Sequence, residues 1–155
     1  MAINVLVVDD SSVMRLLVSD VLKQDPDIHI IDTARNGKDA LEKTKALHPD
    51  VVVMDMIMGE YDGVYGVRKI MNLCPVPILL LSSIGNTNLT PILEALSLGA
   101  FDYINKPADG NTKIRDISGN LISKVKEASR IDIKKLLNGT VNKNINHHTF
   151  ATNLP

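Results

Sequence analysis

Three carboxylates, four hydroxyls and one amine recur at the same kind of place in this chain, the polar end of a short, mostly apolar run. VLVV at 5–8 leads into Asp9, Asp10, Ser11 and Ser12, and VVVM at 51–54 leads into Asp55. LLL at 79–81 leads into Ser82 and Ser83, and FDYIN at 101–105 leads into Lys106 and Pro107. Taken singly, each has an ordinary structural use, because Asp and Ser after a strand commonly cap the next helix and a loop lysine is commonly solvated. One of Asp9, Asp10, Ser11 or Ser12 is expected to be such a cap, whereas Asp55 has no evident helix start directly behind it. If the acids meet, capping no longer accounts for them. Two like charges 4 Å apart repel by roughly 4 kcal/mol at an effective dielectric near 20, so such a cluster holds either a proton or a cation. Oxygen-only ligands point to a hard divalent ion, Mg²⁺ first, with Mn²⁺ tolerated.

What would bring these residues together is an alternation of β-branched runs with stretches of helical period, the pattern of a parallel sheet flanked by helices. Five strands are expected, at Ile3 to Val8, Ile28 to Asp32, Val51 to Met54, Ile78 to Leu81 and Phe101 to Ile104, mostly continuous aliphatic runs as a sheet covered on both faces requires. Between them apolar positions recur at i, i+3, i+4 and i+7: Met14, Leu17, Val18, Val21; Val67, Ile70, Met71, Cys74; and Leu89, Ile92, Leu93, Leu96. These stripes are expected to face the sheet. A weaker stripe runs through Ala40, Leu41, Thr44 and Leu47, and a last helix is expected from about Thr112 through Ile114, Ile117, Leu121 and Val125. Asn36-Gly37, Asp62-Gly63, Leu98-Gly99, Pro49, Pro75 and Pro77 fall between elements. Right-handed crossovers then give an α/β fold, a doubly wound five-stranded parallel sheet of order 2-1-3-4-5 with its ligand edge at the carboxyl ends of the strands. Strands one and three are neighbours about 4.8 Å apart, which places Asp55 within a few ångströms of Asp9 or Asp10.

Composition sets the frame. The 155 residues, 45% hydrophobic and 23% charged, suit one domain with a real core, expected over 1–128 and followed by a helix end and a polar linker or disordered tail over 129–155. A net charge of -1 favours neither nucleic acid nor an anionic membrane. The single cysteine, Cys74, excludes an internal disulfide and fits a reduced, cytoplasmic chain in which it packs in the core. No apolar run approaches the roughly 18 residues of a membrane span, and the start MAINVLVV has neither a basic region nor a cleavage-type ending. From Lys134 the composition turns to Asn, Lys and Thr. His147 and His148 lie there without metal-ligand spacing, and neither they nor His29 and His48 are assigned to a site.

VVDDS at 7–11, VVVMDMIM around Asp55, the Asp62-Gly63 turn, LLLSS at 79–83, LGAFDYI at 98–104 and Lys106-Pro107 together resemble the receiver domain of two-component response regulators, over about Ile3 to Glu127. By that resemblance Asp55 is the phosphoacceptor, and Asp9, Asp10, Asp55 and the backbone carbonyl of Ile57 hold Mg²⁺. Lys106 then pairs with the phosphoryl oxygens, Ser82 is the hydroxyl that swings toward the phosphoryl group with the small Ser83 behind it, and Tyr103 is the aromatic whose burial changes with the switch. The family also implies a cis Lys106–Pro107 bond. The donor is the phosphohistidine of a sensor histidine kinase, and the output is altered binding to a downstream domain or protein. Three carboxylates give about -3 and Mg²⁺ with Lys106 about +3, so phosphorylation upsets a near-neutral balance.

Within that family, SDVLKQDPDIHIIDTARNGKDALEKTKALHPDVVVMDM and EALSLGAFDYINKP resemble the receiver of chemotaxis methylesterases, which implies a chemotaxis-type kinase. No G-x-S-x-G nucleophile turn occurs. The chain therefore reads as a receiver fragment, a truncated product or a stand-alone receiver, with self-phosphorylation and self-dephosphorylation chemistry only. Met58-Gly59 stands where the family usually has Met-Pro, which loosens the loop that carries the Ile57 carbonyl. A second class is a metal-dependent phosphatase or phosphotransferase acting on small substrates through Asp55. Such an enzyme of the haloacid-dehalogenase type wants D-x-D after its first strand, where this chain has adjacent acids. A flavin module would need a phosphate-cradling loop where Asp9 and Asp10 stand.

Overall fold

The computed structural model describes residues 2–83, 89–107 and 110–137. Its strands are β1 (Ile3–Val8), β2 (Ile28–Ala34), β3 (Val51–Asp55), β4 (Ile78–Ser83) and β5 (Asp102–Lys106), and its helices α1 (Ser12–Leu22), α2 (Gly37–Leu47), α3 (Gly63–Leu73), α4 (Thr90–Ser97) and α5 (Ser118–Ser129). All four strand pairings are parallel and the order is β2-β1-β3-β4-β5, as the doubly wound reading requires. Successive side chains alternate between sheet faces. Val5, Val7 and Val53 pack with Val18, Leu22, Leu121 and Val125 on the α1 and α5 side, while Leu6, Val8 and Met54 pack with Val67, Ile70 and Ile92 on the other. Every residue of the central β3 is buried, and each such aliphatic side chain contributes roughly 1.5–3 kcal/mol of transfer free energy. Among the described residues no helix is long and apolar enough to cross a membrane.

The helices begin where short polar side chains satisfy their first free N–H groups. Ser11 Oγ accepts from the Met14 N–H (3.2 Å), Asn36 Oδ1 from Asp39 N–H (2.8 Å) and Asp62 Oδ1 from Tyr65 N–H (3.0 Å). His48, unassigned from sequence, caps α2 in the left-handed region at φ 51°.

Several boundaries differ from the sequence reading. β3, β4 and β5 run to Asp55, Ser83 and Lys106, because Ser82 pairs with Asn105 and Ser83 with Lys106. β5 starts at Asp102, with Phe101 just before it. The last helix opens with a 3-10 segment, Gly110–Ile117, before α5 takes over at Ser118. In α4 the buried contacts are Ile92 and Ala95, while Leu89 (46%) and Leu93 (38%) are exposed. Ile92 and Ala95 join the α3–α4 side core. The Lys106–Pro107 bond is trans, not cis as expected. Trans is the intrinsically favoured isomer of any X–Pro bond. Packing also runs past α5, where Leu136 is buried in the α3–α4 side core and Ile131 and Ile133 pack against it. The polar tail beyond Leu137, with His147 and His148, lies outside the described residues.

Candidate functional site

The winding reverses between β1 and β3, and the acids stand there. Val8 pairs with Met54, so Asp9 and Asp55 are the next residues along two adjacent parallel strands. One carboxylate oxygen each from Asp9, Asp10 and Asp55 lie within 4.8 Å of one another. Asp9 and Asp55 are 2% and 5% exposed, and Asp10 faces solvent. The helix cap is Ser11, which leaves neither Asp9 nor Asp10 in that role. Lys106, at the end of β5, brings Nζ to 3.0 Å from Asp55 Oδ1 and 4.0 Å from Asp9 Oδ2. β4 lies between β5 and β3 and carries Leu81 as the partner of both Asp55 and Ile104. Lys106 and Asp55 therefore project on one side, two residues apart in the alternation.

Ser82 and Tyr103 belong to the opposite face. Ser82 is 2% exposed, and Tyr103 is partly buried against the α3–α4 side core. Ile57 lies in the loop after Asp55 with its side chain 56% exposed. The chain there is fastened on both sides, by Met56 N–H donating to Leu81 O (3.0 Å) and Gly63 N–H donating to Met56 O (2.9 Å). Gly59 has φ +74° and no atom within 4 Å of where a Cβ would stand. A proline cannot adopt that φ, so this chain's departure from Met-Pro carries a backbone conformation of its own. Gly59→Ala is expected to cost about 1 kcal/mol, the penalty of a left-handed L-residue with no clash to add. Denaturant melts of the two chains check this, and equal midpoints would contradict it.

One residue of the site, Arg15, was not picked out from the sequence. Arg15, one turn into α1, donates from Nη1 to the Asp9 carbonyl oxygen (2.8 Å), and the Ser11 backbone N–H donates to Asp9 Oδ1 (2.9 Å). The signal for Arg15 is its place in the first turn of the helix that starts behind Asp9, which lets a long side chain fold back over the strand end.

Electrostatics here are dominated by burial. It pushes the Asp9 carboxyl from 3.8 up to about 6, the Ser11 N–H opposing and the charge of Asp55 adding. Burial raises Asp55 too, against the nearby Lys106 charge. Asp9 Oδ2 is buried and accepts no hydrogen bond from the protein, an arrangement that costs free energy. A hard divalent cation suits this donor set, since it binds carboxylate oxygens and offsets their repulsion. A pH dependence follows. Without metal, folded Asp9 keeps its proton to higher pH than the unfolded chain does, so its contribution to stability is complete below about 4, falls as pH rises and is gone well above about 6. The change from 3.8 to about 6 corresponds to about 3 kcal/mol. In EDTA at pH 7.5, Asp9→Asn should be more stable than the parent by up to that amount, with the gain vanishing near pH 3.5. Denaturant melts at the two values check this, and an Asn variant less stable at pH 7.5 would contradict it.

Comparisons with known proteins agree with this geometry. The family model described as the response regulator receiver domain matches residues 5–117. The chain is 42% identical over 135 residues to a protein-glutamate methylesterase/protein-glutamine glutaminase of Desulfitobacterium hafniense (strain Y51), covering 86% of this chain and 34% of that one. It is 44% identical over 138 residues to the protein of the same description from Methanococcoides burtonii, covering 88% and 39%. It thus spans little more than a third of the length of these relatives. Among solved structures, the response regulator domain of Thermotoga maritima CheB superposes with a TM-score of 0.79 at 34% identity, covering 85% of this chain and 99% of that one. A CheX-CheY-BeF3-Mg+2 complex from Borrelia burgdorferi contains a similar chain, with a TM-score of 0.61 at 30% identity over 76% of this chain and 89% of that one.

Proposed function

The chain belongs to the response regulator receiver domain family, and from that premise we propose that it is a phosphorylation switch whose acceptor is Asp55. The observation that carries this reading is the cluster itself. A buried carboxylate at a strand end sits 3.0 Å from a lysine amine and within 4.8 Å of two further acids. Asp9, Asp10, Asp55 and the Ile57 carbonyl would hold Mg²⁺ (Mn²⁺ as a substitute), which when bound supplies positive charge against the transferring phosphoryl oxygens.

The protein's own residues do the rest. An Asp55 carboxylate oxygen attacks phosphorus in line, the P–N bond of a phosphohistidine breaks, and an acyl phosphate forms. Lys106 holds the Asp55 carboxylate and pairs with the phosphoryl oxygens that arrive there. Asp9 is fixed by the Ser11 N–H and by Arg15, so the acid cluster is set before a donor binds. Phosphorylation takes Asp55 from -1 to nearly -2, and Ser82 and Lys106 meet the added oxygens by closing in. Ser82 and Tyr103 share the α3–α4 side of the sheet, so the closure biases that surface between two states and changes what it binds.

Similarity to the receiver region of protein-glutamate methylesterases supports a chemotaxis-type histidine kinase as the donor and a downstream output domain or protein as the target. The receiver unit would extend beyond 128 to at least Leu136, which is buried in its core. A test separates the switch from an enzyme. With acetyl phosphate and Mg²⁺ the chain should gain one phosphoryl group and no more, and EDTA should prevent it. Repeated turnover of p-nitrophenyl phosphate through Asp55 would instead establish the phosphatase reading.

A further inference from the structure

A second charged site lies one strand outward from the acids. At the carboxyl end of β2, the sheet edge, a cleft of about 290 Å³ is lined by Arg15, Thr33, Ala34, Arg35, Asp39 and Lys43. The three cations face two carboxylates, Asp39 in the lining and Asp32 behind Lys43, a formal excess of one positive charge. Its distribution is uneven. Lys43 Nζ donates to Thr33 O (2.5 Å) and sits 3.6 Å from both Asp32 and Asp39, so its charge is largely matched. Asp39 is committed as well, accepting the Arg35 backbone N–H (3.1 Å). The unmatched charge therefore rests on the two guanidiniums. Arg15 uses Nη1 on the Asp9 carbonyl, which leaves most of the five N–H donors of a planar fork. Arg35 is exposed at the rim.

This is a lining for an oxyanion. It offers little apolar wall, its charge repels cations, and the fork of a guanidinium matches the oxygen spacing of phosphate. A carboxylate presents only two oxygens, whereas a phosphate presents three or four and can accept from both guanidiniums at once. We propose that this cleft is a phosphate-binding site, distinct from the acid cluster, that takes inorganic phosphate or a phosphate ester carried by a partner. Through Arg15 the occupied cleft is tied to the backbone of Asp9, so a phosphate held here sits directly behind the acid site. The proposal does not depend on Asp55 being the acceptor.

The test is a titration of the ¹⁵N-labelled full chain with inorganic phosphate in metal-free buffer at constant ionic strength. Saturable shifts of the Thr33, Ala34 and Arg35 amides are expected. Arg35→Ala should weaken binding about tenfold, and Arg35→Lys, which keeps the charge but loses the fork, should weaken it less. Lys23→Ala, at the far end of α1, should bind as the parent does. A neutral peptide bearing one phosphoserine identifies the source: binding tighter than inorganic phosphate assigns the cleft to a partner's ester, and weaker binding assigns it to the free ion. Shifts that do not saturate, that are unchanged in both Arg35 variants, or that centre on Asp9, Asp10 and Asp55 would overturn the proposal.

Discussion

Asp55→Asn should abolish phosphoryl incorporation from acetyl phosphate, taking the chain from one group per molecule to none by intact mass. The loss should be complete because the other two acids are poor substitutes. Asp9 has Oδ1 tied to the Ser11 N–H and is held near protonation by burial. Asp10 is exposed, whereas the Lys106 amine lies against Asp55 and Asp9. An amide at 55 keeps the shape and the hydrogen-bonding oxygen but removes the nucleophile. The same change removes one of three crowded charges, so the metal-free variant should be at least as stable as the parent. A modification that persists in Asp55→Asn would move the acceptor elsewhere.

Lys106→Met should have the largest effect on stability. Lys106 is 15% exposed and lies against two buried acids, and removing one partner of a buried ion pair costs roughly 3–5 kcal/mol because the other charge is left uncompensated. Methionine keeps most of the length and apolar volume, so the change isolates the charge. The penalty should be greatest in EDTA at pH 7.5 and shrink toward pH 4, as Asp9 and Asp55, both raised by burial, take up protons. Phosphoryl transfer should slow by about 10²-fold or more, the usual consequence of losing one preorganised donor to the developing charge. Denaturant melts and the rate of mass gain check the two halves. A variant within 0.5 kcal/mol of the parent, an order-of-magnitude threshold for a neutral surface change, would show that Lys106 does not hold the cluster together.

The sheet and its order were legible because buried parallel strands read as unbroken aliphatic runs, and the order then placed Asp9 beside Asp55 without any structural information. The meeting of Asp9, Asp10, Asp55 and Lys106 followed from that, while the roles given to Ile57 and Tyr103 came from the resemblance. What the sequence did not show depends on partners distant in the chain. Ser82, Ser83, Asn105 and Lys106 have little strand preference of their own, yet they extend β4 and β5 by pairing with one another. In α4, hydrophobic period alone could not tell that Ala95 is buried and Leu93 exposed. The trans Lys106–Pro107 bond departs from an expectation taken from resemblance rather than from residues. Arg15 escaped notice because its bond is to a backbone carbonyl, which no side-chain pattern records.

The central claim is that Asp9, Asp10 and Asp55 share one divalent ion and leave an Asp55 oxygen to take phosphorus. Crystals grown with Mg²⁺ and beryllium trifluoride test it most directly. The account predicts one ion among the three carboxylates and the Ile57 carbonyl, beryllium joined to an Asp55 oxygen, and the Lys106 amine on a fluorine. An empty cluster, or beryllium trifluoride on any other residue, would contradict it.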